Sequence, residues 1–290
     1  MSWVIFVEEP GAHQVSLPYN VLAAIAVEEH LVWQLSKKLR EAEVSFFGAQ
    51  LEQQSPVFTV EDMLNERQIE IAGSHPLLES SLRIRLTREC LVSQAGANSA
   101  MHGVALAQTQ IAYCRFVLEL LRDFQSKALA VFTPSEFSTF TYRDHLRKDY
   151  SFMLERAFYL LRDQPFISTG ILVFDPKRHS DDLVPISAIS DYFDKTTKGR
   201  LRSRLIVPEP MMANSRLTSI NQGAVLLSRI LSWSFRLPNM KLPRRRDLDG
   251  FVKQCNRLRF SFMSDSGHKE WSFKFIETVR AQHEASSPTM

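Results

Sequence analysis

The sequence predicts an α/β protein built on a sheet of mixed direction. Two short apolar runs near the start, residues 3–7 (WVIFV) and 21–27 (VLAAIAV), are typical of buried strands. A Pro-Gly turn signal separates them, so we expect them to pair antiparallel. Stretches with apolar residues at helical spacing then alternate with further short strands, as in α/β proteins. Together these patterns predict a mixed rather than a fully parallel sheet.

Each predicted element follows from the spacing of its apolar residues. Short apolar runs bounded by turn residues predict strands, and apolar residues three or four positions apart predict helices. The helix over residues 218–235 is apolar on almost every side, so it should be largely buried. Residues 47–76 follow neither spacing clearly. In chain order the predicted strands cover residues 3–7, 21–27, 128–132, 169–174 and 204–207, and the predicted helices cover residues 28–43, 77–92, 105–124, 142–162, 183–194, 218–235 and 247–257.

The chain changes character after Arg236. Prolines break the preceding helix, and three consecutive arginines follow. Further on, residues 259–263 and 271–275 alternate apolar and polar side chains around a turn, which predicts a β-hairpin with one apolar face. That face either packs on the rest of the protein or forms an interface with a partner chain or a second copy. We therefore divide the chain into an α/β domain, residues 1–236, and a C-terminal extension, residues 237–290.

Composition and charge indicate a globular protein of ordinary type. The hydrophobic share is 44% and the net charge is only +3, so charge alone does not indicate nucleic-acid binding. The three cysteines are far apart and form no CxxC pair, which favours a reduced, cytoplasmic location. We expect no segment long and apolar enough to cross a bilayer, no signal peptide at the start, and no membrane partner.

Acidic residues at the ends of buried strands are the most informative chemical feature. Glu8 and Glu9 end the first strand, and Asp175 ends the clearest later strand, residues 169–174. If those two strands are neighbours, their carboxylates meet at one edge of the sheet. Converging carboxylates are what Mg²⁺ or Mn²⁺ requires, since these cations prefer oxygen ligands. The alternative is that these are ordinary loop acids, and from the residues alone this alternative is the stronger.

Five short segments follow one another along the chain: Glu8-Glu9-Pro10-Gly11, Glu70-Ile71-Ala72-Gly73, Asp175-Pro176, Asn214-Ser215 and Gln222-Gly223-Ala224-Val225-Leu226. Their order resembles that of the bacterial domain of unknown function 3800 family, which is described as ribonuclease H-like. In that family the first strand ends in Asp-Glu-Ser-Gly, and a middle region often contains Glu-Ile-Lys. A later strand ends in Asp-Glu, and a final buried helix opens with Gln-x-Ala-Asp-Leu. The resemblance covers residues 1–236 by order of elements.

The resemblance implies both a fold and an activity. The fold would be a mixed-sheet ribonuclease H-like core with helical insertions, followed by a C-terminal helix and β-hairpin. The activity would be metal-dependent hydrolysis of phosphodiester bonds. Glu8 and Asp175 would then bind Mg²⁺ or Mn²⁺, with Glu70 as a third acid and Glu9 as a supporting one.

The departures from the family pattern point away from efficient catalysis. Glu8 replaces an aspartate and reaches further, Ala72 replaces a lysine, and apolar Val225 replaces the acid of the final helix. A two-metal site that loses one ligand loses geometry as well as charge. We therefore expect a degenerate protein that binds nucleic acid or serves as a subunit of a bacterial defence or mobile-element assembly, the contexts that the resemblance implies. The alternative is an active Mg²⁺- or Mn²⁺-dependent nuclease.

Arginine clusters are the candidates for contact with nucleic-acid phosphates. One cluster includes Arg200 and Arg202, and the other is the run Arg244, Arg245 and Arg246. Such clusters can neutralise phosphates, although solvated helix and loop faces have the same composition. The sequence contains no GxxxxGK[ST] or GxGxxG motif and no HExxH pair, which argues against a nucleotide-driven motor, a dehydrogenase and a histidine metal site.

Overall fold

A computed structural model describes residues 1–8, 19–51, 60–92, 100–134, 146–174, 183–213, 219–235 and 243–276 of the chain. The strands in these ranges are β1 (Ser2–Glu8), β2 (Tyr19–Glu28), β3 (Lys127–Pro134), β4 (Thr169–Phe174), β5 (Met211–Met212), β6 (Ser261–Met263), β7 (Lys269–Trp271) and β8 (Phe273–Phe275). The helices are α1 (Glu29–Phe47), α2 (Val60–Met63), α3 (Glu66–Gly73), α4 (Ser80–Val92), α5 (Ala100–Asp123), α6 (Lys148–Arg162), α7 (Leu183–Lys195), α8 (Thr197–Arg202), α9 (Ser219–Ser234) and α10 (Asp249–Arg257), with a 3-10 turn at Arg246–Leu248.

The central sheet has six strands within the described ranges, in the order β5-β4-β1-β2-β3-β8. β1 pairs antiparallel with β2, and β2 pairs antiparallel with β3. On the other side β1 pairs parallel with β4, and β4 pairs parallel with β5. The predicted mixed α/β sheet is therefore confirmed, as is the antiparallel pairing of the first two strands. α6 lies between β3 and β4 in the chain, and such a crossover lets β4 run parallel to β1.

Helices cover both faces of the central sheet. α1, α5, α9 and α10 pack on the face that carries Phe6 and Ile25. α6 and α7 pack on the opposite face, which carries Ile5 and Leu22. Because neighbouring residues of a strand face opposite sides, strands buried on both faces have to be apolar at nearly every position. This explains why β1 and β2 stand out in the sequence as uninterrupted apolar runs.

Two short helices, α2 and α3, occupy part of the region in which the sequence predicts no element. Asn65 caps α3 by accepting a hydrogen bond from the backbone N–H of Gln68 at 2.8 Å. α3 packs on α5, where Gln108 Nε2 donates to the carbonyl oxygen of Ala72 at 3.1 Å. Helices of one or two turns are too short to show a clear apolar period, so the sequence pattern misses them.

The predicted strand over residues 204–207 is wrong. Ile206 makes only an isolated parallel bridge with Gly170 of β4. The N–H of Gly170 donates to Leu205 O at 2.8 Å, and Val207 N donates to Gly170 O at 2.9 Å. The segment is apolar because it is buried against β4, and it does not form a ladder of strand hydrogen bonds.

The predicted C-terminal hairpin is right in its first half and wrong in its second. β6 pairs antiparallel with β7, but β8 leaves the hairpin and pairs parallel with β3. Buried Ser272 marks the division, since its N–H donates to Phe260 O at 2.9 Å while its carbonyl accepts from Ala130 N at 3.1 Å. The C-terminal extension thus supplies an edge strand to the central sheet.

The inner face of the β6–β7 hairpin packs on α6. Phe262 stacks on Tyr159 with ring centroids 4.5 Å apart. Glu270 pairs with the fully buried Arg156 at 3.0 Å. Of the two alternatives for the apolar face, the structure shows packing on the rest of the protein.

α5 departs from the expectation that no segment is long and apolar enough to cross a bilayer. Its 24 residues pass that test by length and hydropathy, the only helix among the described residues that does. However, 67% of its most apolar window is buried inside the protein, against α1, α3 and α4. These are the surroundings of a core helix.

Candidate functional site

The carboxyl edge of the central sheet holds the first predicted site residue. β1 and β4 are parallel neighbours, paired up to Val7 opposite Phe174. Glu8 ends β1 and is 5% exposed, and Asp175 directly follows Phe174 in the sequence. The condition that the two strands be neighbours is therefore met. Glu9 and Asp175 lie outside the described residues, so the convergence of their carboxylates with that of Glu8 stays a prediction.

α9 crosses this edge of the sheet. Its first turn is tied to the end of β4 through Ala213, whose N–H donates to Phe174 O at 2.8 Å and whose carbonyl accepts from Asn221 Nδ2 at 3.0 Å. Further along, Ser228 Oγ donates to Val21 O of β2 at 3.1 Å. Strand alternation puts Glu8 on the same face as Phe6, which packs in the α9 layer. Glu8 and α9 therefore share one side of the sheet.

The start of α9 also carries two buried acceptors that the sequence pattern did not identify. Asn221 Oδ1 and Gln222 Oε1 have no hydrogen-bond partner among the described residues. An unsatisfied buried polar atom costs about 1–3 kcal/mol, so such atoms are uncommon without a role. Val225 is half-buried one turn further on.

The described residues do not supply a complete ligand set for Mg²⁺ or Mn²⁺. No group of three or more His, Cys, Asp or Glu residues that could hold a metal ion occurs among them. Glu70 is exposed on α3, a helix that packs on α5. Glu8 is the one member of the predicted acid set that is both described and buried, and the acids predicted beside it, Glu9 and Asp175, lie outside the described residues. The described side chains alone therefore do not fit the metal.

A second buried acid, Glu43 of α1, has a structural explanation. It accepts a hydrogen bond from the backbone N–H of Leu51 at 3.1 Å and lies 3.5 Å from the hydroxyl of Tyr113. Burial, followed by the Glu43 carboxylate, raises the pKa of Tyr113 well above its ordinary value. Glu43 thus fixes the segment that follows α1.

The predicted nucleic-acid contacts Arg200 and Arg202 differ in their surroundings. Arg202 is buried and donates to Glu155 at 2.6 Å and to the carbonyl oxygen of Ser151 at 3.0 Å. Arg200 is exposed and donates to the carbonyl oxygen of Asp194 at 3.0 Å. Arg202 therefore joins α8 to α6, and it cannot meet a phosphate while it keeps those partners.

The arginine triplet is divided in the same way. Arg245 is buried, donates to Leu64 O at 2.7 Å and pairs with Asp247. Arg244 is partly exposed and donates to both carboxylate oxygens of Asp249, at 2.6 and 2.7 Å. Arg246 is exposed. Arg245 serves the fold, and the prediction of phosphate contact continues to rest on Arg200, Arg244 and Arg246.

The cysteines are core residues rather than nucleophiles. Cys114 and Cys255 are fully buried, and burial raises the pKa of each thiol far above its ordinary value. Burial also raises the pKa of the half-buried Cys90 thiol. Thiols in this state hold little thiolate at neutral pH, so they are poor nucleophiles.

No protein-family model, no curated protein and no solved structure matches this chain.

Proposed function

We propose that this protein is a divergent, catalytically degenerate ribonuclease H-like protein that binds nucleic acid. The observation that carries the proposal is the pairing of β1 with β4, which brings the end of the strand that carries buried Glu8 beside the end of the strand that precedes Asp175. The sheet supports the same fold: β1, β2 and β3 are antiparallel in sequence order, and β4 and β5 add in parallel on the far side of β1. That is the order expected of a ribonuclease H-like core.

Val225 is the reason to propose degeneracy. α9 lies on the Glu8 side of the sheet, and its first turn is fastened to the end of β4. This position of α9 supports the proposal, because the resemblance implies a final buried helix that carries an acid. An isopropyl group cannot coordinate a cation, so the site lacks one ligand even if Glu8 and Asp175 converge.

An active Mg²⁺- or Mn²⁺-dependent nuclease is the second candidate. The specific observation in its favour is the position of Glu8, a buried acid at the end of β1, beside the end of the parallel strand β4. The unsatisfied acceptors Asn221 Oδ1 and Gln222 Oε1 could add neutral oxygens nearby. Membership of a bacterial defence or mobile-element assembly is part of the proposal only through the family resemblance.

Cleavage and binding assays separate these candidates. Purified protein should retain labelled single-stranded RNA or DNA on a filter at low salt, yet cleave it weakly or not at all with Mg²⁺ or Mn²⁺. Robust cleavage that disappears in Asp175→Ala would overturn the degenerate version. Failure to retain RNA and DNA of any form would overturn nucleic-acid binding.

A second assay tests the proposal that Val225 removes a metal ligand. Val225→Asp should bind Mn²⁺ more tightly than Val225→Asn, measured by titration calorimetry, because only the aspartate restores a charged ligand. The asparagine variant controls for the polar substitution on a half-buried helix position. Equal Mn²⁺ affinity of the two variants would contradict the view that Val225 removes the site.

A further inference from the structure

The outer face of the β6–β7 hairpin has a composition unlike that of its inner face. Ser261 lies opposite Trp271 and Met263 opposite Lys269, and all four side chains are exposed. The alternate residue Phe262 is buried against α6. Trp271 keeps 46% of its surface exposed, and Met263 on the same face keeps 51%.

Two cations lie against the exposed indole. The guanidinium carbon of Arg259 is 4.6 Å from the ring centroid of Trp271, and Lys269 Nζ is 5.4 Å from it. Arg259 is also 5.0 Å from the ring of Phe273, which belongs to the central core. We call Arg257, Arg259, Lys269 and Trp271 the hairpin platform.

Charge pairing leaves the platform positive. The described segment 243–276 has eight lysines and arginines but four acids, a net charge of +4, while the whole chain has only +3. Each of the four acids is paired: Asp247 with Arg245, Asp249 with Arg244, Asp265 with Arg162, and Glu270 with Arg156 and Lys274.

The remaining cations of this segment make no ion pair with any described residue. They are Arg246, Lys253, Arg257, Arg259 and Lys269. Three of these belong to the platform, and Lys253 lies one helical turn before Arg257 on α10. Two of these five unpaired cations, Arg259 and Lys269, lie against Trp271.

The inner face holds the platform rigid. Arg156 pairs with Glu270 between Lys269 and Trp271, and Arg162 donates to Met263 O at 2.6 Å. Asp265 N donates to the hydroxyl of Tyr159 at 3.3 Å. A surface that is fixed before binding loses little conformational entropy when a ligand arrives.

We propose that the hairpin platform binds single-stranded nucleic acid, with an unpaired base stacked on Trp271 and neighbouring phosphates held by Arg257, Arg259 and Lys269. The inference rests on the proposed nucleic-acid function and assigns its binding surface. An exposed indole suits an unpaired base because every base has a face that can stack. Arginine and lysine without carboxylate partners are what phosphates need.

Trp33 provides the contrast that makes the assignment specific. It is 69% exposed on α1, in a shallow groove with Lys37 and Arg40. There Glu41 pairs with Lys38 at 2.9 Å and lies 3.9 Å from Lys37, so both lysines already have a carboxylate partner. Arg40 is the one cation of the Trp33 groove that makes no ion pair with a described residue, so the groove offers less unpaired charge than the platform and we expect it to contribute less.

The platform is connected to the carboxyl edge by a row of paired residues. Glu8 pairs with Ala23, Ala23 with Ala130, and Ala130 with Phe273. Three strand spacings of about 4.8 Å each give a lateral separation of roughly 14 Å. Trp271 is two residues before Phe273, so the platform lies at the β8 edge of the sheet, three strands away from Glu8.

The test is fluorescence anisotropy with a labelled oligothymidine and with an abasic oligomer of equal length and charge. Trp271→Ala should weaken binding of oligothymidine about tenfold, the loss expected for one stacked base, and leave the abasic oligomer nearly unaffected. Lys269→Gln, at a fully exposed position, should weaken both and lower the salt slope by about 0.7. Trp33→Ala is the matched control and should bind both like the unaltered protein.

The outcomes separate the platform from the proposed function. If the unaltered protein binds and neither Trp271→Ala nor Lys269→Gln changes its affinity, the platform is overturned while nucleic-acid binding stands, which is also the result expected if this face serves a protein partner. An equal loss for oligothymidine and the abasic oligomer in Trp271→Ala overturns base stacking. If the unaltered protein binds neither oligomer nor any other nucleic acid, the proposed function falls as well.

Discussion

The carboxyl edge of the central sheet and the hairpin platform carry charge in opposite ways. At the carboxyl edge Glu8 is buried, on the side of the sheet that α9 covers. On the platform Arg259 and Lys269 lie against an exposed tryptophan, and the nearby acid Glu270 is paired on the opposite face. The charge available to a ligand therefore depends on pairing and burial rather than on the number of charged residues.

The largest expected effect comes from removing the anchor beneath the platform. Arg156→Ala should lower the free energy of unfolding by about 3 kcal/mol, because it empties a fully buried site and takes one partner from Glu270 and Glu155, which keep only Lys274 and Arg202. Denaturant unfolding followed by tryptophan fluorescence measures the change. Lys269→Ala is the control on the outer face and should stay within about 0.5 kcal/mol. A loss below about 1 kcal/mol for Arg156→Ala would contradict the claim that the inner face of the hairpin stabilises the fold and the outer face does not.

The arginine triplet should divide into a structural and a ligand-facing residue. Arg245→Ala should cost about 2 kcal/mol of stability, since it removes the donor to Leu64 O and the partner of Asp247. Arg246→Ala should leave stability unchanged, weaken nucleic-acid binding and lower its salt dependence. Thermal unfolding and a salt titration of affinity check the pair. If Arg245→Ala were as stable as Arg246→Ala, burial would be a poor guide to role in this segment.

The smallest expected effect is that of a substitution at the carboxyl edge. Glu8→Gln should change oligonucleotide affinity less than twofold, because the proposed contacts lie on the platform, roughly 14 Å across the sheet from Glu8. Anisotropy without divalent cations is the measurement, with Glu70→Gln as the exposed control. A tenfold change in affinity for Glu8→Gln alone would move the binding surface to the carboxyl edge.

Apolar patterning made the central fold predictable. β1, β2, β3 and β4 are buried on both faces, so each had to be an uninterrupted apolar run, and β4 was predicted at its observed bounds. Residues 204–207 have the same composition but meet only Gly170. The sequence assigned β8 to the hairpin, because local alternation does not reveal that the chain leaves the hairpin at Ser272. From Phe273 onward it pairs with β3.

The candidate sites were predictable only in part. Acids at strand ends can be found in the sequence, and the neighbouring placement of β1 and β4 agrees with that inference. The roles of arginines could not be predicted, because the partners of Arg202 and Arg245 come from segments far away in the chain, such as Glu155 and Leu64. Trp271 was visible only as one residue of an aromatic hairpin, since its exposure depends on which face packs on α6.

Photo-crosslinking tests the central claim most directly, because it needs no substitution. The native protein is irradiated with a single-stranded oligonucleotide that contains 4-thiothymidine, digested with trypsin and mapped by mass spectrometry. Cleavage after Arg259, Lys269 and Lys274 isolates the hairpin in two peptides, residues 260–269 and 270–274. The platform predicts crosslinks in these peptides, with Trp271 as the principal site. Crosslinks confined to other peptides, such as the one that carries Trp33, would contradict it.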